Sequence, residues 1–194
     1  MEATTEREPG QAILRLGDPR LRWPSRPVED ACAAPVRELL GRLHGTLAAF
    51  RSRHGFGRAM AAPQLGSRLR VVAFDLGPGP HALLNPRITA RSADTFTLWD
   101  DCLCFPDLLV RVRRATSISL EFLDERGRTQ RWNDLGPAES ELFQHELDHL
   151  DGVLAVDRAV DAEAIVTRAE FARERERFAA LVTPPVGRSA PPGS

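Results

Sequence analysis

Between Pro35 and His54, Val36, Leu39, Leu40, Leu43 and Leu47 recur at a regular interval. That i, i+3, i+4, i+7, i+11 spacing lays one apolar stripe along a helix, which a proline opens and Gly55 closes. Beyond it the period shortens. Leu69 to Asp75 is a short β-branched run ended by the GPGP of residues 77–80, and Ala82 to Ile88 reads as a second extended run. Val110 and Val112 alternate with Arg111 and Arg113, and Ile118, Leu120 and Phe122 alternate with polar neighbours, the pattern of half-buried antiparallel strands. Residues 125–128, with Gly127, turn the chain into a strand over Thr129 to Trp132. A second helix is predicted from about Pro137 to Gly152, with Glu139 and Glu141 in its first turn. A third is predicted from about Asp161 to Leu181, turning Ile165, Ala169, Ala172 and Phe178 inward and a dense Arg/Glu face to solvent. Strands grouped together with helices at the two ends make the fold class α+β.

At 194 residues the expectation is one domain over residues 1–182, with frayed residues at 1–10 and a Pro/Gly/Ser-rich tail at 183–194. The 26 Lys+Arg against 27 Asp+Glu leave a net charge of -1, which gives no basis for direct nucleic-acid binding. No run approaches about 18 apolar residues, and Met1 to Gly10 lacks the basic start and apolar stretch of a secretory signal. The expectation is therefore a cytoplasmic chain with no membrane partner. Its three cysteines, Cys32, Cys102 and Cys104, argue against a disulfide framework and for reduced thiols or a metal site.

The second helix carries the chemistry. His145-Glu146-Leu147-Asp148-His149 matches HExxH. Histidines four apart on a helix reach one cation, and the intervening glutamate can move a proton of bound water. A hydrolytic metal takes three protein ligands and an open position. Ala155 stands where an HExxHxxGxxH peptidase would have its third histidine, which removes that class. Glu163, Glu170 or Glu174 downstream, or Cys102 upstream, remain as candidates for the third ligand.

Gln144 to Gly152 follows the pattern QHExDHLxG in full, Gly57 to Gln64 follows GxGxAAxQ, and Asp100 to Cys104 follows EGCLS. With three motifs in this order, together with Ile13-Leu14 through Leu21-Arg22 and Asn85-Pro86, the chain resembles the peptide deformylase family over roughly residues 12–160. The resemblance implies antiparallel sheets packed around a central HExxH helix. It also implies a metal-dependent hydrolase that removes the formyl group from the formyl-methionyl terminus of nascent peptides and releases formate. Cys102, His145 and His149 would bind one divalent ion, natively Fe2+, with Zn2+ or Ni2+ tolerated. Glu146 would be the general acid/base, and the Gln64 amide and the Leu103 backbone N–H would serve the oxyanion. Gly57, Arg58, Ala59 and Asp101 would bind substrate. The partner is an N-formylated peptide, with the ribosome as a further candidate through the basic strip Arg111, Arg113 and Arg114.

Four positions depart from the family pattern. Ala59 replaces a glycine, Asp100 a glutamate, Asp101 a glycine and Cys104 a serine. These substitutions are expected in substrate-binding loops, where they would alter the accepted substrate, and Arg58 and Asp101 are expected to pair across the cleft rim. Cys104, two residues from Cys102, could compete for the metal if the segment were a straight strand. Cys32 reads as a small buried hydrophobe, and His44, His54 and His81 as surface residues. Two other functions stay open: an HExxH metallopeptidase with a downstream glutamate ligand, and a non-catalytic protein that binds modified termini.

Overall fold

The computed structural model describes residues 13–185, so the expected frayed start and residues 186–194 of the expected tail lie outside it. Helix α1 (Ala34–His54) ends where Gly55 adopts φ 76°, and it buries Val36, Leu39, Leu40, Leu43, Leu47 and Phe50. The strands follow as β1 (Ala59–Ala61), β2 (Val71–Asp75), β3 (Pro80–Arg91), β4 (Thr95–Asp101), β5 (Leu108–Ala115), β6 (Ile118–Leu123) and β7 (Thr129–Leu135). Then come α2 (Pro137–Leu150), β8 (Ile165–Thr167), α3 (Arg168–Arg173) and α4 (Arg175–Ala179).

Two antiparallel sheets result, one ordered β1-β2-β3-β6-β7 and one ordered β4-β5-β8. Strand β2 shows why α2 is central. Val71 and Ala73 pack into the cluster beneath α1, while Val72 and Phe74 pack with Phe143 and Leu147 of α2. A strand covered on both faces reads as a continuous apolar run, and Val-Val-Ala-Phe is one. Ser140 and Gln144 tie α2 to the end of β5. Ser140 Oγ donates to the Ala115 carbonyl at 2.7 Å, and the Gln144 amide accepts from Ala115 N–H and donates to its carbonyl, both at 3.1 Å.

The chain after α2 departs from the expected single helix. Ile165-Val166-Thr167 is β-branched and pairs with Leu108–Val110, and Ile165 is exposed rather than inward. Thr167 Oγ1 then accepts from Glu170 N–H at 3.1 Å and starts α3. A β-branched triplet beside an open strand edge wins over helical periodicity. Phe178 alone of the expected inward residues is buried, stacked on Phe171 and edge-on to Trp99. Thr97 N–H donates to the Thr183 carbonyl at 3.1 Å and Thr183 N–H donates to Thr97 Oγ1 at 2.7 Å, so the first residue of the expected tail is tied to β4. No helix among the described residues is long and apolar enough to cross a membrane.

Candidate active site

Strand β4 delivers Cys102 to a tight turn in which Phe105 N–H donates to the Cys102 carbonyl at 3.2 Å. In this turn, not a straight strand, Cys104 N–H donates to Cys102 Sγ at 3.4 Å. Helix α2 brings His149, whose Nε2 lies 3.2 Å from Cys102 Sγ. The donor atoms of Cys102, Cys104 and His149 all lie within 4.8 Å of one another, and all three residues are buried. His145 is one turn earlier, its ring centroid 4.9 Å from that of His149. It stands outside that tight group, and its Nδ1 is engaged 2.9 Å from Asp100 Oδ2.

Burial governs the protonation of these groups. It pushes the Cys102 thiol well up and the His149 imidazole well down, so both neutral forms are favoured. Burial also opposes charge on His145, but the Asp100 carboxylate outweighs it and raises that ring to about 9. Glu146 is pushed up to about 7 by burial. Among the buried polar atoms without a partner is Glu146 Oε2. An uncompensated carboxyl oxygen near two sulfurs and an imidazole fits a cation, and the mixed sulfur and nitrogen set suits zinc or ferrous iron.

Gln64 is fully buried, although a turn position reads as exposed in isolation. Its Oε1 accepts from Ala61 N–H at 2.8 Å, which aims Nε2 at the sulfurs, 3.5 Å from Cys104 and 3.8 Å from Cys102. A cleft of roughly 370 Å³, of a size suited to a small ligand, is walled by residues from β1, β4 and α2. Gly57, Arg58, Ala59, Asp101, Leu103, His145 and Glu146 all line it. Gly57 has φ 107°, a conformation that side chains rarely adopt.

Several expectations are corrected. Arg58 pairs with Glu141 on α2, and Asp101 pairs with Arg168 of α3 at 3.1 Å, so the rim pair between Arg58 and Asp101 is absent. Both line the same cleft, and each is held by the opposite charge on its own side, Glu141 of α2 for Arg58 and Arg168 after β8 for Asp101. Asp100 is no loop residue, since it is buried and holds His145 and Arg114. Arg114 is also buried, 3.2 Å from Asp100 and 2.5 Å from Asp148, and β5 is the middle strand of its sheet. The supposed basic strip therefore splits between two faces. Period-two alternation through Val110, Val112 and Arg114 carried that signal. Cys32 is exposed, and His44 is half-buried while His54 and His81 are on the surface. Glu170 pairs with Arg173 at 2.6 Å, Glu163 is exposed, and neither they nor Glu174 join the donor cluster. The downstream-glutamate peptidase is thereby set aside.

The sequence profile of the polypeptide deformylase family matches residues 11–164. The chain belongs to this family. A peptide deformylase of Thermotoga neapolitana is 32% identical over 156 residues, covering 79% of this chain and 89% of that protein. One from Prochlorococcus marinus is 37% identical over 164 residues, covering 81% and 77%. The crystal structure of the Thermotoga maritima enzyme superposes with a TM-score of 0.69 at 33% identity, covering 77% of this chain and 97% of that one. A Synechococcus elongatus peptide deformylase in complex with actinonin gives 0.72 at 29% identity, covering 88% and 86%. The family is one of metal-dependent hydrolases, and the α+β arrangement of antiparallel sheets matches its solved members.

Proposed function

We propose that this chain removes the N-formyl group from the amino termini of nascent peptides and releases formate, using one divalent ion. One observation carries the reading. Buried Cys102 Sγ and His149 Nε2 meet at 3.2 Å, and Glu146, which lines the cleft together with His145, keeps an unpartnered carboxyl oxygen. Cys102 and His149 hold the ion together with His145, whose Nε2 remains after Asp100 takes Nδ1. The second reading of the ligand set puts Cys104 third, favoured by its place in the tight donor group. Ferrous iron is the resident ion in this proposal, with zinc or nickel as substitutes. Such an ion supplies Lewis acidity toward water and the formyl carbonyl.

The chain's own residues do the rest. Glu146 takes a proton from the attacking water and returns it to the leaving amine, and its burial, which favours the neutral acid, eases the uptake of that proton. The Gln64 amide and the Leu103 N–H donate to the carbonyl oxygen as negative charge develops there. Asp100 fixes the orientation of the His145 ring. Gly57 and Ala59 lie along the bound peptide backbone, and Arg58 and Asp101 face its side chains. A cytoplasmic location, where nascent chains emerge from the ribosome, belongs to the same reading.

Replacing Glu146→Gln is expected to cut formate release from a formyl peptide by about 10²–10⁴-fold. Metal content per chain, measured on anaerobically purified protein, is expected to stay at the wild-type level. Equal rates from wild type and variant would instead identify a non-catalytic binder of modified termini.

A further inference from the structure

Four carboxylates line the cleft, those of Asp100, Asp101, Glu141 and Glu146. Three are matched by an arginine. Asp100 lies 3.2 Å from Arg114, Glu141 meets Arg58, and Asp101 lies 3.1 Å from Arg168. Glu146, the proposed proton carrier, is left with a bare Oε2.

The match for Asp101 comes from beyond residue 164, where the family profile ends. Thr167 ends β8 in register with Leu108, and Arg168 N–H donates to the Asp107 carbonyl at 2.8 Å, which sets Arg168 beside the turn that carries Cys102 and Leu103. Its Nε donates to the Pro106 carbonyl at 3.0 Å and its Nη2 to Asp101, so one guanidinium spans that turn from end to end. Its Cζ stands 4.1 Å from the centre of the Phe56 ring, on another part of the cleft lining. A planar fork of donors can make these contacts together, and a lysine ammonium cannot.

Each side chain of the pair is 38% exposed, so the pair adds little to stability. Its consequence is for charge. Asp101 stands where the family pattern has glycine, two residues before Leu103, whose N–H serves the carbonyl oxygen in the proposed reaction. A carboxylate there without a counter-ion would oppose the negative charge that this oxygen gains on attack, while the neutral formyl peptide would feel it little.

Resting on the deformylase reading, we propose that Arg168 is a positioning residue that acts through Asp101. It holds and neutralises a carboxylate that this chain carries at a glycine position, and so keeps the charges of the cleft balanced around Glu146.

The test is formate release from a formyl-methionyl peptide, as kcat per bound metal ion and KM, for wild type, Arg168→Ala, Asp101→Gly and the double variant. Arg168→Ala is expected to lower kcat about fivefold or more with KM within about twofold, a loss confined to the transition state. In the Asp101→Gly background the same substitution is expected to cost less than about twofold, a coupling that a merely structural strap would not show. The loss is expected to shrink as salt rises from about 0.05 to 0.5 M, since the carboxylate is half-exposed. Binding of formate, an anion, to the metal-loaded protein is expected to weaken in Arg168→Ala and to recover in the double variant, read by calorimetry. Should Asp101→Gly prove insoluble, Asp101→Asn removes the charge in its place. An unchanged kcat in Arg168→Ala, or an equal loss in both backgrounds, overturns the inference and leaves deformylation standing. Absence of formate from wild type overturns both.

Discussion

Arg114 bridges two carboxylates, Asp100 and Asp148, with only 4% of its side chain exposed. Removing one member of such a buried set leaves the others charged and unpaired, which costs more than the network contributes as a whole. Arg114→Met is expected to lose about 3–5 kcal/mol in urea unfolding. Asp100 also orients His145, so metal affinity is expected to fall about 10–100-fold, read by competition with a chelator. A variant within 1 kcal/mol of wild type would show the network to be dispensable. At this scale the HExxH pair was legible because i, i+4 adjacency is a property of the helix itself. The partner of Arg58 was not legible. Glu141 is 83 residues away, and no local spacing distinguishes it from Asp101.

Helix α2 is bounded by features written into its ends, Pro137 at the start and Gly152 after the last turn. Gly152 has φ 75°, and an added Cβ would lie 2.5 Å from the Arg22 carbonyl oxygen. Gly152→Ala is expected to cost about 2 kcal/mol or more, combining left-handed strain with displaced backbone, as a lowered urea midpoint. The turn between β6 and β7 makes a pH prediction. Backbone N–H donation from Arg128, with the Arg128 side chain and the Arg126 N–H, lowers Asp124 from 3.8 to about 2. A lowered carboxylate stabilises the fold fully above its unfolded value and loses that contribution as pH falls through its folded value. Wild type is therefore expected to exceed Asp124→Asn in urea midpoint at pH 7, with the gap closing between about pH 4 and pH 2. A gap that persists at pH 2 would assign the effect to packing instead. The predicted third helix failed here because its first residues had a strand edge to join, information held by β5 and absent from the local pattern.

Across the whole molecule, the family profile stops at residue 164, yet the chain beyond it completes the site's surroundings. Arg168 reaches Asp101 at 3.1 Å and stands 4.1 Å over the Phe56 ring, and Phe178 packs on Trp99 of β4. Phe178→Ala is expected to cost about 3 kcal/mol, a fall of roughly 6–12 °C in Tm, by calorimetry. An unchanged Tm would mean that α3 and α4 merely rest on the surface. By itself the sequence determined α1, the strands β2, β3, β5, β6 and β7, the extent of α2 and the three motifs that mark the candidate site, because periodicity, end signals and motif spacing are local, whereas β1 and β4 read as loops. Only the tertiary structure decided which charge meets which, that Arg114 and Gln64 are buried, and that the last segment pairs as a strand before turning helical. Those outcomes depend on elements far apart in the chain competing for the same space, and the energy of each contact is set by what else has been excluded from it.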